Sequence, residues 1–355
     1  MKINYLRRDL MNLKAYDAEE KSCIYKMDAN ESPWDLPDSF REILARDLMD
    51  GKDFNRYPDS KSTNLRRAIG EHWGVSSDQV IVGAGSDELI QILITGFAGK
   101  GEGVAYPTPS FGMYQIFTLI AGATPMPIEL GEGYEYDMEA FTSAISKYNP
   151  KVLFICNPNN PTGNLMDPDQ LKKLINAFPG VVVIDEAYGE FAKASMIEYA
   201  IQVPNLVVLR TFSKAFGLAG LRVGYCITSP ELASQINRVM PPYNLNTFSQ
   251  DAAVLALANR EQMDIRVKKI IEQRQIMYNA LGKIDGLRIY PSQANFLLIK
   301  VPRGHLTWQQ LLDRGILVRD FSGEPYLRDC LRVTIACEEA NRAFISSMYE
   351  IFSEG

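Results

Sequence analysis

The chain alternates short apolar runs with amphipathic segments over its first two thirds, and this alternation constrains the fold more than any other feature. Several apolar runs end in Gly, Pro, Asn or Asp, which is typical of buried strands. Strands and helices alternate along a chain when a mostly parallel sheet is covered by helices on both faces. We therefore predict an α/β fold with a mostly parallel sheet flanked by helices. The predicted strands are residues 79–82, 103–105, 152–156, 181–184, 206–209 and 223–227, and the predicted helices are 86–97, 111–121, 138–148 and 168–178.

The pattern changes after residue 249. Residues 250–281 have the spacing of one long helix, whereas residues 295–301 and 331–335 have the pattern of strands. A chain of 355 residues is long enough for two domains of roughly 150 residues each. We predict a large α/β domain at residues 40–255 and a smaller α+β domain formed by residues 1–39 together with 256–355.

Charge and composition exclude several classes of function. The chain has 37 Lys and Arg against 43 Asp and Glu, and this net charge of −6 disfavours nucleic-acid binding by bulk attraction to phosphates. It has two histidines and five cysteines, with no Cys-x-x-Cys pair, so we predict neither a metal site nor a disulfide framework. No apolar stretch is long enough to span a bilayer, and the N-terminus lacks the apolar core of a signal peptide. We expect a cytoplasmic enzyme without a membrane or nucleic-acid partner.

A glycine turn at residues 83–85 raises one alternative, a nicotinamide-dependent oxidoreductase. The turn follows an apolar run and precedes a helix, as in a dinucleotide-binding motif. Glu88 stands where the third glycine would be, and no acidic residue follows about 20 residues later to bind a ribose. The turn still indicates an anion site at a helix N-terminus, although an ordinary strand–helix turn explains it equally well.

Two other enzyme classes lack their motifs. Asp185 and Glu186 end an apolar run, as in the acidic strand of an ATPase, but the chain has no Gly-x-x-x-x-Gly-Lys-Ser/Thr loop. Ser213 has no Gly-x-Ser-x-Gly motif around it, so a serine hydrolase is poorly supported.

Four features at the ends of predicted strands point to a different chemistry. Lys214 follows an apolar run and lies among Phe, Ala and Gly, where poor solvation favours the neutral amine that forms a Schiff base. Asp185 ends another run, where an acid can pair with a pyridinium nitrogen. An Asn-rich turn at residues 157–163 and Arg222, a cation suited to a phosphate, complete the set. Because ligands of open α/β sheets bind at the carboxyl edge, we expect these features to lie together.

The same features form an ordered set of motifs. Asn-Pro-Asn-Asn-Pro-Thr-Gly lies at 157–163, Asp-Glu-Ala-Tyr at 185–188, Ser-Lys-Ala-Phe-Gly at 213–217 and Gly-Leu-Arg-Val-Gly at 220–224. This order resembles the fold type I pyridoxal-phosphate aminotransferases, and within them most of all the histidinol-phosphate aminotransferase branch. The resemblance extends from residue 13 to about residue 351 and implies pyridoxal 5'-phosphate as the cofactor.

The resemblance implies roles at the cofactor ring. Lys214 would hold pyridoxal phosphate as a Schiff base and, once released, would move a proton at the substrate. Asp185 would pair with the ring nitrogen, while Asn160 and Tyr188 would hydrogen-bond the ring oxygen. Phe111 would stack on the ring, where many relatives have Tyr. Lys214, Asp185 and Tyr188 are the implied catalytic residues.

The resemblance also implies a site for the cofactor phosphate. The backbone N–H groups of Ser86 and Asp87 would bind it together with Ser213 and Arg222. Tyr57 would reach the phosphate from the neighbouring subunit, which implies a homodimer with shared active sites.

Substrate recognition, by the same resemblance, depends on arginine. Arg332 matches the anion-binding arginine of the family, and Arg319, thirteen residues earlier, matches a second arginine of the histidinol-phosphate branch. Two guanidinium groups suit a phosphate dianion and can also bind the carboxylates of 2-oxoglutarate. Tyr16, Asn30 and Asn295 are the other implied substrate-binding residues.

The implied reaction is a transamination in histidine biosynthesis. It converts L-histidinol phosphate and 2-oxoglutarate to imidazole acetol phosphate and L-glutamate. An aromatic amino-acid aminotransferase and a phosphothreonine decarboxylase remain alternatives on the same scaffold. A nicotinamide-dependent oxidoreductase remains the alternative from a different class.

Overall fold

Two β-sheets organise the computed structural model, which describes residues 5–13, 21–51, 55–192 and 194–353. One sheet has seven strands and the other has five. The strands are β1 (Tyr25–Met27), β2 (Val80–Gly83), β3 (Gly103–Thr108), β4 (Thr124–Glu129), β5 (Val152–Cys156), β6 (Val181–Asp185), β7 (Leu206–Thr211), β8 (Gly224–Thr228), β9 (Arg288–Ile289), β10 (Phe296–Lys300), β11 (Ile316–Asp320) and β12 (Cys330–Thr334). The α-helices are α1 (Asp38–Met49), α2 (Thr63–Trp73), α3 (Gly85–Phe97), α4 (Met113–Ala121), α5 (Met138–Tyr148), α6 (Pro168–Ala177), α7 (Ile197–Ala200), α8 (Pro230–Asn237), α9 (Thr247–Ala258), α10 (Arg260–Leu281), α11 (Gly304–Asp313) and α12 (Glu338–Ser353).

The seven-stranded sheet has the order β2-β8-β7-β6-β5-β3-β4. β8 runs antiparallel to both of its neighbours, whereas every other neighbouring pair is parallel. The five-stranded sheet has the order β1-β11-β12-β10-β9, with β1 parallel to β11 and the remaining pairs antiparallel. The predicted α/β fold with a mostly parallel sheet is therefore confirmed.

The central strands are buried on both faces. Along β5, Leu153 and Ile155 pack into the hydrophobic cluster on one side of the sheet, while Val152 and Phe154 pack into the cluster on the other side. Side chains alternate between the two faces of a strand, so a strand covered by helices on both faces must be apolar at every position. This explains why the sequence shows continuous apolar runs here and not alternation.

The sequence pattern missed β4. Two prolines, Pro125 and Pro127, interrupt this segment, and proline cannot donate a backbone hydrogen bond to a neighbouring strand. β4 is an edge strand that pairs only with β3, so only one of its sides needs a partner.

The predicted single helix at residues 250–281 was wrong, because it is two helices. α9 ends at Ala258 and α10 begins at Arg260, with Asn259 between them in a non-helical conformation (φ −119°, ψ 31°). The Asn259 side chain donates to the Leu255 carbonyl at 2.9 Å and so satisfies one of the last carbonyls of α9. The apolar spacing is similar on both sides of the break and did not reveal it.

The predicted domain boundaries at residues 40 and 255 fall within α1 and α9 and stay a prediction. The seven-stranded sheet is built from residues 80–228. The five-stranded sheet combines residues 25–27 with strands from residues 288–334.

Candidate active site

The carboxyl ends of several strands meet at one edge of the seven-stranded sheet. β5, β6 and β7 are parallel, and β2 has the same direction because β2 and β7 are both antiparallel to β8. Asp185 is the last residue of β6, Lys214 follows β7, and Gly85 follows β2. Arg222 precedes β8, whose opposite direction makes it begin at this same edge. The topology thus brings together residues that are up to 137 positions apart in the sequence.

Asp185 is a buried carboxylate, 3% exposed, that accepts two hydrogen bonds. The Tyr114 hydroxyl donates to its Oδ2 at 2.7 Å, and the Ala187 backbone N–H donates to its Oδ1 at 3.1 Å. Burial raises the pKa of Asp185 to about 6, although both hydrogen bonds act to lower it. No Lys, Arg or His forms an ion pair with Asp185 in the described part of the chain. A cationic group placed against this carboxylate would stabilise its charge.

Lys214 has a perturbed amine. Its Nζ donates to the Ala29 carbonyl at 2.8 Å and lies 6.0 Å from the centre of the Tyr188 ring. Burial lowers the pKa of Lys214 to about 8, and the positive charge of Arg332 adds to this effect. Far more of the amine is therefore neutral near neutral pH than in a solvated lysine, and the neutral amine is the form that acts as a nucleophile.

Long-range hydrogen bonds join Tyr188 and Asn160 to residues in or next to the five-stranded sheet. The buried Asn30 amide donates to the Tyr188 hydroxyl at 3.0 Å, and burial raises the Tyr188 pKa to about 12. Arg332 donates from Nη1 to Asn160 Oδ1 at 2.5 Å. Because a guanidinium group only donates, the Asn160 oxygen faces Arg332 and its NH₂ group remains available as a donor elsewhere.

The N-terminus of α3, Arg222 and Ser213 lie against one another, and we call this group of residues the cup. Arg222 donates to Asp87 at 3.0 Å and to Ser213 Oγ at 3.4 Å. Gly85 has a φ of +82°, and a Cβ atom there would lie 2.6 Å from Arg222 Nη2. A Cβ atom at Gly224 would lie 2.4 Å from the Ser86 backbone nitrogen. Glycine is thus required at two places where the backbone approaches the cup closely.

Phe111 and Tyr57 have different environments. Phe111 is half-buried in the turn before α4, with its ring centre 5.6 Å from that of Tyr114 at an interplanar angle of 84°. Tyr57 is 80% exposed and stacks on Tyr243 at 4.5 Å. Among the residues that the structure describes, no hydrogen bond or ring contact joins Tyr57 to the other predicted site residues.

The two predicted substrate arginines are direct neighbours in the five-stranded sheet. Arg319 on β11 and Arg332 on β12 are register partners, so their side chains lie on the same face. Both guanidinium groups lie over the Phe321 ring, at 5.8 Å and 5.6 Å from its centre. Arg332 also donates to the Asp28 carbonyl at 2.5 Å.

Asn30 and Asn295 are buried and bonded to each other. The Asn295 amide donates to the Asn30 carbonyl at 3.0 Å, and the Asn30 N–H donates to Thr334 Oγ1 at 2.9 Å. Asn295 Oδ1 is buried and has no hydrogen-bond partner among the described residues. Tyr16, which was predicted to bind the substrate, lies outside the described residues.

Comparison with known proteins decides the family. Residues 23–345 match the family model described as aminotransferase class I and II. The chain belongs to the class I and II aminotransferases. It is 42% identical to histidinol-phosphate aminotransferase from Ruminiclostridium cellulolyticum, with 98% of each chain covered, and 41% identical to that from a Thermoanaerobacter species, with 98% and 99% covered.

Solved structures of this family have the same fold. Histidinol-phosphate aminotransferase from Sinorhizobium meliloti, in complex with pyridoxal-5'-phosphate, superposes with a TM-score of 0.88 at 24% identity, covering 99% of this chain and 98% of that one. The enzyme from Clostridium acetobutylicum superposes with a TM-score of 0.86 at 25% identity, covering 94% and 100%. The predicted enzyme class, a pyridoxal-phosphate-dependent aminotransferase, is confirmed by the family assignment.

The aminotransferase site fits pyridoxal phosphate in its own geometry. Asp185 is a buried carboxylate without a cationic partner among the described residues, which suits a protonated ring nitrogen. Lys214 has the lowered pKa that attachment of an aldehyde needs. The cup around Gly85 has Arg222, Ser213 and the start of α3 as donors for a phosphate.

Sequence reasoning missed two residues that contact the candidate site. Tyr114 and Phe321 contact predicted site residues, yet an isolated Tyr or Phe in an apolar stretch is usually a core residue. The only signal was position, because Tyr114 is three residues from Phe111 and Phe321 is two residues from Arg319.

Proposed function

We propose that this aminotransferase transfers the amino group of L-histidinol phosphate to 2-oxoglutarate, giving imidazole acetol phosphate and L-glutamate in histidine biosynthesis. The relatives that are 42% and 41% identical over nearly the whole chain are named for this activity. The observation in the structure that supports the proposal best is the pairing of Arg319 with Arg332 on adjacent strands. The family assignment also favours a transaminase over the nicotinamide-dependent alternative.

The arginine pair suits the charges of both substrates. L-histidinol phosphate has a phosphate dianion and no carboxylate, whereas 2-oxoglutarate has two carboxylates. Two guanidinium groups on one sheet face can bind each of these anions by charge-assisted hydrogen bonds. Phe321 lies beneath both guanidinium groups and limits their movement.

Pyridoxal phosphate, when bound, supplies an electron sink for the bond changes at the amino-bearing carbon. Lys214 would hold the cofactor aldehyde through its neutral amine and then move the proton at the substrate carbon. Asp185 would keep the ring nitrogen protonated, while Tyr188 and Asn160 would hydrogen-bond the ring oxygen and orient the ring. Phe111 would cover one face of the ring.

The phosphate of the cofactor would lie in the cup formed by the start of α3. The N–H groups of Ser86 and Asp87 would donate to it, together with Ser213 and Arg222. The ion pair between Asp87 and Arg222 is about half exposed and therefore weak, so Arg222 could bind the phosphate while it remains next to Asp87.

The first test is a visible absorbance spectrum of the cofactor-saturated protein. Loss of the cofactor band with L-histidinol phosphate and its return with 2-oxoglutarate would support the proposed amine donor. A band that responds only to L-phenylalanine would favour an aromatic aminotransferase. Release of CO₂ from O-phosphothreonine without a keto product would favour a decarboxylase.

A variant pair tests the arginine argument. Arg319→Gln is expected to lower kcat/KM for L-histidinol phosphate about tenfold or more, because a charge-assisted hydrogen bond is lost, and to affect L-phenylalanine less. Arg328→Gln is the control, because Arg328 precedes the neighbouring strand β12 but its side chain is 86% exposed. Equal losses for both amines in Arg319→Gln would contradict a phosphate-specific role.

We also propose a homodimer in which Tyr57 completes the phosphate site of the neighbouring subunit. Tyr57 is 80% exposed and Tyr243, stacked on it, is 45% exposed, which leaves a large aromatic surface open to a partner. Tyr57→Ala and Lys214→Ala are each expected to be inactive alone. When equal amounts exchange subunits, about half of the dimers are hybrids and one of the two sites in each hybrid is native, so the mixture should regain about a quarter of wild-type activity. No recovery on mixing, or full activity of Tyr57→Ala alone, would contradict the shared site.

We propose the cytoplasm as the site of action. The five cysteines are free thiols in the structure, in keeping with a reducing compartment. No helix in the described residues has the length and apolarity to cross a membrane. Fractionation of the native host, with the activity followed in each fraction, tests this location.

A further inference from the structure

The hydroxyl of Tyr114 is the side-chain donor to the buried Asp185 carboxylate. Tyr114 is fully buried, and its hydroxyl lies 2.7 Å from Asp185 Oδ2. The second hydrogen bond to Asp185 comes from a backbone N–H on the other carboxylate oxygen. Each oxygen therefore has one donor among the residues that the structure describes, and of these two donors a side-chain substitution removes only the Tyr114 hydroxyl.

Packing holds the Tyr114 ring in one orientation. The ring stacks on Phe154 with centres 4.8 Å apart and an interplanar angle of 21°, and Phe111 meets it at 84°. Phe154 belongs to β5, which is the direct neighbour of the strand that ends in Asp185. Tyr114 thus contacts both the carboxylate and Phe111, the proposed stacking partner of the cofactor ring.

The surroundings of Asp185 oppose its charge. Among the described residues, the titratable groups with the leading electrostatic or hydrogen-bond interactions with it are neutral or negative: Tyr114, Cys156, Tyr188, Asp87 and Glu186. Burial and the two nearby carboxylates favour the protonated acid, whereas the hydrogen bond from Tyr114 and the backbone N–H favour the carboxylate. A tyrosine hydroxyl buried beside an acid remains protonated, since burial and the Asp185 charge raise the Tyr114 pKa.

We propose that Tyr114 is a positioning residue, which holds Asp185 as a carboxylate in a single orientation toward the ring nitrogen of the cofactor. Tyr114 does not itself touch the reacting atoms in this proposal and acts through Asp185. The inference rests on the proposed role of Asp185, and its test separates the two.

The test uses holoenzyme loaded with pyridoxal phosphate that is labelled with ¹⁵N in the ring. At pH 7.5, the ¹⁵N chemical shift reports whether the ring nitrogen is protonated, and equilibrium dialysis gives the dissociation constant of the cofactor. Tyr114→Phe keeps the ring and its packing and removes only the hydroxyl. We expect the ¹⁵N resonance to move toward the unprotonated position and cofactor binding to weaken about tenfold or more, as for loss of a hydrogen bond to a charged group.

Tyr136→Phe is the matched control. Its side chain is partly buried, and its hydroxyl donates to the Cys156 carbonyl at 3.0 Å, on the strand beside that of Asp185, with no hydrogen bond to the carboxylate. This variant also loses a tyrosine hydroxyl that donates a hydrogen bond close to the site, so we expect its ¹⁵N position and cofactor affinity to remain those of the wild type.

The Asp185→Asn variant shows whether Tyr114 affects the cofactor through Asp185. If Tyr114 acts through Asp185, Tyr114→Phe should weaken cofactor binding by less than about twofold in this background. Wild-type ¹⁵N position and affinity in Tyr114→Phe would overturn the inference, and so would an equal loss in both backgrounds. Unchanged ¹⁵N position and affinity in Asp185→Asn alone would instead overturn the proposed role of Asp185, and the inference with it.

Discussion

Lys214 should titrate far below an ordinary lysine in the cofactor-free protein. Its side chain is partly buried, and the loss of solvation together with the positive charge of Arg332 disfavours the ammonium form. Its pKa of about 8 means that about a quarter of the amine is neutral at pH 7.5, against about one in a thousand for a solvated lysine. The neutral fraction is therefore about 200-fold larger.

Competitive labelling with acetic anhydride between pH 6 and 11, followed by peptide mass spectrometry, measures this titration lysine by lysine. The labelling of Lys214 should rise with a midpoint near pH 8. Lys26 is the internal control. Burial opposes its charge, but its hydrogen bonds to Glu31 and Asp28 outweigh burial and raise its pKa.

Replacement of Arg332 tests the cause. Arg332→Leu removes the neighbouring positive charge, so the labelling midpoint of Lys214 should move to higher pH. A wild-type midpoint above pH 10 would refute the reasoning from burial. A midpoint that stays in place in Arg332→Leu would refute the electrostatic contribution of the arginine.

Three further predictions concern stability and cofactor binding. Arg210→Met should lower the free energy of unfolding in urea by about 3–5 kcal/mol, because Arg210 is 2% exposed and bridges two buried glutamates. The exposed control Arg67→Met should change this free energy by less than about 0.5 kcal/mol, and a similar small loss in both variants would contradict the prediction. Gly85→Ala should weaken pyridoxal-phosphate binding more than Gly101→Ala, because both glycines have φ near +83° but only a Cβ atom at position 85 would meet an arginine. Equal dissociation constants of the cofactor in the two variants, measured by equilibrium dialysis, would contradict phosphate binding in the cup. Affinity for pyridoxal phosphate should fall as the pH drops below about 6, where Asp185 takes up a proton and loses the charge that pairs with the ring; a flat titration curve from pH 5 to 7 would count against that pairing.

Local patterns in the sequence are enough to predict the order of most elements and which strand ends hold the candidate site residues. Strands such as β5 and β6 are buried on both faces, so their apolar runs are visible without any knowledge of neighbours. Asp185 and Lys214 stand at the ends of such runs, and parallel strands end at a common edge. Their position at one edge of the sheet therefore follows from the strand pattern alone.

Features that depend on a single local residue were harder to predict. The break at Asn259 lies inside a continuous helical pattern, and asparagine occurs within helices often enough that it gives no clear stop signal. β4 contains two prolines, and a strand with prolines is tolerated here because β4 lies at the edge of the sheet. The strand at β4 can be recognised only when its place at the edge of the sheet is known.

The tertiary structure alone decided how the site residues are connected. Asn30 bonds Tyr188 across 158 positions, and Arg332 bonds Asn160 across 172. These contacts depend on the register of two sheets and on how their side chains pack. A sequence determines the chemical groups and the periodicity of each segment, but contacts between distant segments form only when burial of apolar surface brings those segments together. For this reason the lysine and the aspartate could be identified from their own neighbours, whereas the tyrosine that contacts Asp185 became visible only in the folded chain.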